Sequence, residues 1–380
     1  MTLEDQVATL DALVGFRSVS TAPNLPLLEW VEDRLLRSGI RSQRLPGPPG
    51  KASLVATIGP PAAGGVVLCA HTDVVPADAE QWTFDPFRAT VSGDKVYGRG
   101  TADMKGFLAC VLEAMPAFAA RPLSRPVTIA LTYDEEIGCL AAPELGAYLR
   151  NELPEPAAVI VGEPTCMRIV RSHKGVRVLR TTVTGEPAHA SKPAAGVSAI
   201  NRAAGLIIGL ESLAARVANE ERPHPAFDPP HSTVNVGVVR GGQAPNIVAG
   251  SCSFDWEIRT VPGRDSDVLM RSVRELEGAA PATTVRAEVD TQTLADVPAL
   301  DDADNARAAE LLQELGLAPA PDGVAFGTDG AALARAGLPT VVCGPGSMEQ
   351  GHRPDEFIET AQLEHCGRFL ERLAAWAATP

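Results

Sequence analysis

Near the start of the chain, apolar residues recur three or four positions apart, as on one face of a helix. They are Leu3, Val7, Leu10 and Val14 behind Thr2, and then Leu28, Val31 and Leu35 ahead of Gly39. Threonine is a common N-terminal cap and glycine a common C-terminal stop, so the pattern predicts two helices before residue 40.

Further along, apolar residues form short unbroken runs, which suit strands buried on both faces of a parallel sheet. The runs are VVLCA at 66–70, VTIALT at 127–132, AAVIVG at 157–162 and TVVCG at 340–344. A helical pattern over 104–115 lies between the first two. Strands and helices in this arrangement predict an α/β domain with a mostly parallel sheet.

The middle of the chain has a different pattern, in which apolar and polar residues alternate. Cys252, Phe254, Trp256 and Ile258 alternate with polar neighbours, and so do Val285, Ala287 and Val289. Such strands bury one face only. With strands at 176–184 and 233–239 and helices near 197–219 and 265–277, the order is βαββαβ, the ferredoxin-like motif.

We therefore expect a ferredoxin-like domain of residues 176–290 inserted into an α/β domain of residues 1–175 and 291–380. The proline-rich stretch 222–231 is interpreted as a surface loop of the inserted domain rather than as a boundary.

Groups that bind metals follow four of the buried runs. Because the carboxyl ends of parallel strands share one edge of a sheet, these groups can converge there. They are His71 and Asp73, then Asp134, Glu135 and Glu136, then Glu163, and finally His352, with Asp103 ahead of the helix at 104.

Each group alone has an ordinary explanation. A histidine at a strand end is more often simply hydrogen-bonded, Asp73 could form a turn, and DEE at 134–136 could be a solvated acidic turn. Their coincidence on one edge favours a site. Imidazoles and carboxylates without thiolate suit catalytic zinc, manganese or cobalt. So many acids fit two cations about 3.5–4 Å apart with a carboxylate bridge.

Five segments carry a resemblance to a known family. HTDVVP, GRGTADMKG, DEE, GEPT and GHRPDEF, in this order, resemble the M20 dinuclear zinc peptidases and deacylases, and among them the acetylornithine deacetylases. The resemblance implies that His71, Asp103 and Glu163 hold one zinc and that Asp103, Glu136 and His352 hold the other. It also implies that Glu135 is the general base for a water between the metals and that Asp73 orients His71.

The resemblance extends to the inserted domain. It implies a homodimer through residues 176–290 in which His189 reaches the partner's site and stabilises the oxyanion. Substrate contacts are implied for Arg259, Asn246, Thr328 and Gly327. At the last two positions the chain departs from some relatives, which have CTE where this chain has Gly327, Thr328 and Asp329.

The implied substrate is N2-acetyl-L-ornithine, cleaved to ornithine and acetate in arginine biosynthesis. RSHKGV at 171–176, with His173 and Lys174, favours a small neutral acyl group over the arginine-rich run of desuccinylases. Succinyl-diaminopimelate desuccinylase, a dipeptidase and a broader N-acyl-amino-acid hydrolase remain alternatives, as does a metal-free amino-acid-binding module.

Charge and composition argue against other classes. Lys+Arg 33 against Asp+Glu 47 gives a net charge of −14 without an evident basic patch, which disfavours nucleic-acid and membrane partners. The start is acidic and polar and no run approaches the roughly 18 apolar residues of a membrane helix, so we expect a cytoplasmic protein. Seven cysteines without a C-x-x-C pair argue against disulfides and thiolate zinc sites.

Overall fold

The computed structural model describes residues 2–278, 287–302 and 305–379. They form two compact units. Unit 1 comprises Met1–Ser172, Leu300–Pro321 and Thr328–Pro380, and unit 2 comprises His173–Ala299 and Asp322–Gly327.

The described residues form helices and strands in both units. The helices are α1 (Leu3–Gly15), α2 (Leu25–Arg37), α3 (Lys105–Ala119), α4 (Ala142–Glu152), α5 (Ala199–Glu220), α6 (Ser266–Gly278), α7 (Ala306–Glu314), α8 (Gly330–Arg335) and α9 (Thr360–Ala378). The strands are β1 (Ser42–Pro46), β2 (Ala52–Ile58), β3 (Val66–His71), β4 (Thr90–Ser92), β5 (Lys95–Tyr97), β6 (Val127–Thr132), β7 (Ala158–Pro164), β8 (Gly175–Thr184), β9 (Thr233–Gly241), β10 (Ser251–Thr260), β11 (Glu288–Val297), β12 (Thr340–Gly344) and β13 (Phe357–Glu359).

Unit 1 is built on a six-stranded sheet of order β1-β2-β6-β3-β7-β12. The pairings among β6, β3, β7 and β12 are parallel, and β1 and β2 add an antiparallel edge. All residues of β3, β6, β7 and β12 are buried, which explains their unbroken apolar runs. The predicted α/β class with a mostly parallel sheet is confirmed, while β1, β2 and the small sheet β13-β5-β4 had not been predicted.

Polar side chains close the ends of α1. The Thr2 hydroxyl accepts a hydrogen bond from the Asp5 amide at 3.2 Å, and the Asp5 carboxylate accepts one from the Thr2 amide, which is a capping box. At the other end, the buried Lys105 ammonium donates to the carbonyls of Leu13 and Phe16. These bonds satisfy backbone groups that a helix end leaves unpaired, and they tie α1 to α3.

Unit 2 is a four-stranded antiparallel sheet of order β11-β8-β10-β9 with helices α5 and α6. In β10 the even-numbered residues are buried and pack with α5, as the alternation predicts. The βαββαβ order of the ferredoxin-like motif is confirmed. Val285 lies outside the described residues, and residues 222–231 form a loop.

The last strand of unit 2 corrects a predicted boundary. The expected crossing near 291 falls inside β11, which pairs with β8 as far as Val297, and unit 2 continues to Ala299. It also takes in residues 322–327, which the pattern did not predict. Across residues 2–278, 287–302 and 305–379, no helix has both the length and the apolar character needed to cross a membrane.

Candidate metal centre

The parallel strands of unit 1 deliver acids and histidines to one edge of the sheet. His71 is the last residue of β3 and is paired in register with Thr132 at the end of β6, so residues 134–136 follow at the same edge. Glu163 lies near the end of β7, next to Gly162. A Cβ at Gly162 would lie 1.9 Å from a ring carbon of Phe107, so the close approach of α3 behind Glu163 requires glycine.

Asp103 lies between the two histidines. Its Oδ1 is 3.1 Å from Nε2 of His71, and its Oδ2 is 3.2 Å from Nε2 of His352. Asp103 is buried, whereas the His352 side chain is 49% exposed. One carboxylate therefore presents one oxygen to each imidazole, which is the arrangement that a bridging ligand needs.

Two further carboxylates complete two sets. Glu163 Oε1 lies 3.7 Å from Nε2 of His71, and Glu136 Oε2 lies 2.9 Å from Nε2 of His352. Donor atoms of His71, Asp103 and Glu136 lie within 4.8 Å of one another, and so do those of His71, Glu135 and Glu163. The structure thus brings the five side chains of the expected ligand set together at one edge, with His71 common to both of these groups and Asp103 next to both histidines.

Charges at this edge perturb one another strongly. Hydrogen bonds from His352 and His71 outweigh burial and hold the pKa of Asp103 well below its ordinary value. The hydrogen bonds to Asp103 and Glu136 raise the pKa of His352 to about 10. Burial, followed by repulsion from Asp103, raises the pKa of Glu163 well above its ordinary value. The site therefore stabilises positive charge on His352 and negative charge on Asp103, and it penalises the negative charge of Glu163.

These features fit divalent cations. Glu163 Oε1 is buried and, within the described part of the chain, accepts no hydrogen bond, which is costly unless a ligand fills it. The donors are imidazole nitrogens and carboxylate oxygens, the set preferred by catalytic zinc.

Asp73 acts on this edge in a way that differs from expectation. The ring Nδ1 of His71 bonds the backbone carbonyl of Asp73 at 2.9 Å, while the Asp73 carboxylate lies farther away, at 3.7 Å. That carboxylate accepts hydrogen bonds from the amides of Glu135 and Glu136, at 3.2 and 3.3 Å, and from the Ser20 hydroxyl at 2.8 Å. Asp73 thus orients His71 through its backbone and holds the 135–136 turn through its side chain.

Glu135 and Glu136 point to different neighbours from this turn. Glu136 reaches His352, whereas Glu135 Oε1 accepts a hydrogen bond from the Cys139 thiol at 3.4 Å. Burial and the acids around it raise the pKa of Glu135 well above its ordinary value, although His71 opposes this. Asp134 faces away to an ion pair with Lys51. A carboxylate with a raised pKa beside a metal centre is suited to accept a proton.

Glu356 supports the loop that carries Asp103, and the sequence pattern did not predict this role. Its buried carboxylate accepts hydrogen bonds from the amides of Gly100, Ala102 and Asp103 and from the Arg99 guanidinium at 2.6 Å. It therefore fixes the loop that carries Asp103. Its position inside GHRPDEF was a signal, but the pattern could not show that it is buried.

Asp329 was also missed. It is 1% exposed, and its Oδ2 accepts a hydrogen bond from the Thr132 hydroxyl at 2.6 Å. The preceding Thr328, an expected substrate contact, is buried and its hydroxyl accepts a hydrogen bond from the Gly330 amide at the start of α8. The structure gives Thr328 a role in holding α8.

The remaining expected substrate contacts lie in unit 2. Arg259 is paired with Glu257 at 2.8 Å and donates to the carbonyl of Ala325. Gly327 lies close to Val297, where a Cβ would meet a methyl carbon at 3.0 Å.

His189 and Asn246 are neighbours in unit 2. The Ala190 amide donates to the Asn246 carbonyl, and His189 forms a β-bridge with Ile247. The Ser191 amide lies 3.1 Å from Nδ1 of His189 and can only donate, so Nδ1 is the acceptor and Nε2 carries the proton. His189 is exposed and presents an N–H donor.

The chain is similar to known proteins in sequence and in fold. Residues 67–376 match the model of peptidase family M20/M25/M40. Acetylornithine deacetylase of Myxococcus xanthus is 36% identical over 377 residues, covering 97% of this chain and 96% of the relative. The fold is similar to an M20 family metallo-carboxypeptidase of Sulfolobus solfataricus (TM-score 0.79, 17% identity, 98% and 99% covered). It is also similar to a dinuclear metal-binding M20 peptidase of Bacillus subtilis (TM-score 0.68, 18% identity, 98% of each covered).

Proposed function

We propose that this chain, which belongs to peptidase family M20/M25/M40, is a zinc-dependent amide hydrolase that removes the acetyl group from N2-acetyl-L-ornithine. The main observation in support of this chemistry is the position of Asp103, which presents one carboxylate oxygen to His71 and the other to His352. The products would be L-ornithine and acetate, and the reaction would belong to arginine biosynthesis in the cytoplasm.

His71, Asp103 and Glu163 would hold one zinc, and Asp103, Glu136 and His352 the other. Cobalt or manganese could replace zinc, because nitrogen and oxygen donors accept all three. When bound, the cations polarise the amide carbonyl and lower the pKa of a water molecule.

Glu135 would act as the general base and then as the general acid. Its carboxylate takes a proton from water as the water oxygen bonds to the acetyl carbon, and it returns that proton to the leaving amine as the C–N bond breaks. The Asp73 carboxylate supports this role because it holds the amides of Glu135 and Glu136. Glu135 is thereby kept apart from Glu136, which lies beside His352.

We infer a homodimer formed through unit 2. Strand β9 is at the edge of its sheet and is largely exposed, including Val239 at 55%, and Ile208 on α5 is 63% exposed. An unpaired strand edge with apolar neighbours favours pairing with a second copy. His189 would serve the centre of that copy, because its Nε2–H can donate to an oxyanion. Monomers with full activity in sedimentation experiments would refute this role.

The acetyl group is favoured over a succinyl group by the 36% identical acetylornithine deacetylase and by Lys174. The Lys174 ammonium donates to the carbonyls of Pro229 and His231, at 2.7 and 2.9 Å, so it is engaged within unit 2. This makes it a poor partner for a succinyl carboxylate. Arg259 and Asn246 are proposed to bind the carboxylate of the amino-acid substrate. To do so, Arg259 would have to give up its ion pair with Glu257 and form one with the substrate carboxylate.

A product-release assay tests the substrate. Acetylornithine, succinyl-diaminopimelate, acetylmethionine and several dipeptides are compared at equal concentration with the metal content measured alongside. We expect acetylornithine to have the highest kcat/KM. A higher value for another compound would overturn the proposed substrate but not the chemistry, and a metal-free protein that still binds the amino acid would favour the metal-free amino-acid-binding module.

A further inference from the structure

A third group of potential ligands lies in unit 1, next to Glu135. One donor atom each of Glu135, Cys139 and Asp329 lies within 4.8 Å of the other two. Cys139 and Asp329 belong to neither of the two sets built on Asp103. The group therefore contains a thiol and a carboxylate for which the proposed hydrolysis has no use.

The turn after β6 brings the thiol to Glu135. The amides of Gly138 and Cys139 both donate to the Glu135 carbonyl at 2.9 Å, and Cys139 adopts the left-handed conformation with φ of 55°. This tight turn places the Cys139 sulfur 3.4 Å from Glu135 Oε1. The Cys139 side chain is buried, so the conformation of the turn determines where its thiol lies.

Asp329 supplies an independent indication of a ligand. Its Oδ2 accepts a hydrogen bond from Thr132, whereas its Oδ1 is buried and, among the described residues, has no partner other than the nearby Cys139 thiol of the same group. The side chain is held by its place at the start of α8 and is 1% exposed. A thiol is a weak donor that satisfies a buried carboxylate oxygen poorly, and a cation would satisfy it better.

The donor chemistry indicates which cation would bind. One sulfur with two carboxylate oxygens suits a borderline or soft divalent ion such as Zn²⁺ or Cd²⁺, and it does not suit Mg²⁺. Binding would replace the thiol proton: the S–H bond breaks, the sulfur binds the ion, and the proton leaves to solvent. Burial raises the pKa of Asp329 to about 6, and a bound cation would offset that penalty.

We propose that Glu135, Cys139 and Asp329 form a third, inhibitory site for Zn²⁺ or Cd²⁺, occupied when these ions exceed the amount that fills the pair of sites built on Asp103. Because the ion takes the Glu135 carboxylate as a ligand, it removes that group from proton transfer. This inhibition rests on the proposed role of Glu135, whereas binding of the ion does not.

The test uses the metal-loaded protein and adds Cd²⁺ while two signals are followed. The first is the ultraviolet charge-transfer band of a Cd²⁺–thiolate bond, and the second is acetylornithine hydrolysis relative to the same sample without added Cd²⁺. The variants are Cys139→Ser and Asp329→Asn. Asp329→Asn keeps an oxygen for the Thr132 hydrogen bond, and the control Cys166→Ser removes an exposed thiol elsewhere.

In the parent protein and in Cys166→Ser, we expect the band and the inhibition to share one midpoint. Cys139→Ser should lose the band, and both substitutions should raise the inhibitory Cd²⁺ concentration about tenfold or more, as expected for loss of a ligand. An unchanged band and midpoint in folded Cys139→Ser and Asp329→Asn would overturn the site. If acetylornithine is not hydrolysed, the band still tests the site, so the two proposals can fail separately.

Discussion

Substituting Glu356 by glutamine should destabilise unit 1 and weaken its metal binding. The Glu356 carboxylate lies among four donors: Oε1 accepts from the amides of Ala102 and Asp103, and Oε2 accepts from Arg99 and the Gly100 amide. A glutamine oxygen can replace Oε1. Its NH₂ group, which is a hydrogen-bond donor, would then face the N–H donors of Arg99 and Gly100, so neither of these two hydrogen bonds could form.

The size of the effect follows from burial. Arg99 is 4% exposed and Glu356 is 1% exposed, so the substitution leaves a buried guanidinium without its counter-charge. Removing one partner of a buried pair costs about 3–5 kcal/mol of unfolding free energy. Because Glu356 also holds the Asp103 amide, metal affinity should fall about 10–100-fold.

Urea unfolding of the metal-free protein, followed by circular dichroism and tryptophan fluorescence, measures the first quantity. Trp82 lies 5.1 Å from the Arg99 guanidinium and reports on this region. Competition with a zinc chelator measures the second. The control is Glu359→Gln, an exposed acid at the end of β13, which should change stability by no more than about 0.5 kcal/mol. The reasoning is refuted if Glu356→Gln matches this control in both measurements.

Three other predictions concern the base, the histidines and the dimer. Glu135→Gln should retain bound metal and lose about 10²–10⁴-fold in kcat, and near-normal turnover would remove Glu135 from that role. Because the pKa of His352 in the metal-free protein is about 10, it carries a proton at neutral pH that a metal must displace, so metal affinity should rise with pH. Calorimetry in buffers of different ionisation enthalpy should show proton release, and pH-independent uptake would contradict this. Val239→Lys, at the β9 edge, should give monomers in sedimentation velocity, whereas an intact dimer would place the interface elsewhere.

The centre could be predicted largely from sequence because its residues follow apolar strands. His71, Glu163 and the 134–136 turn are placed by the common edge of a parallel sheet, a rule that needs only the strand pattern. His352 lies in a loop after β12 and adopts the left-handed conformation with φ of 59°, so the strand pattern indicated its edge of the sheet and only the family resemblance implied its role as a ligand.

Other features left no local signal. Glu356 lies beside Pro354 and Asp355, where an acid is typically solvated, and its burial depends on contacts with residues 99–103, more than 250 positions away. Strand β11 has exposed, largely polar residues at the edge of its sheet, so its extent to Val297 was not apparent from apolar periodicity. In both cases contacts between residues far apart in sequence determine the structure: Glu356 with residues 99–103, and β11 with β8.

Metal content of Asp103→Ala, compared with Glu136→Ala and Glu163→Ala, tests the central claim most directly. If Asp103 bridges two cations, the parent protein binds about two per chain, and each glutamate variant keeps about one. The Asp103 variant should then fall below either glutamate variant, because both sites lose a ligand. Retention of two ions by Asp103→Ala, or a parent protein that binds none, would contradict the account.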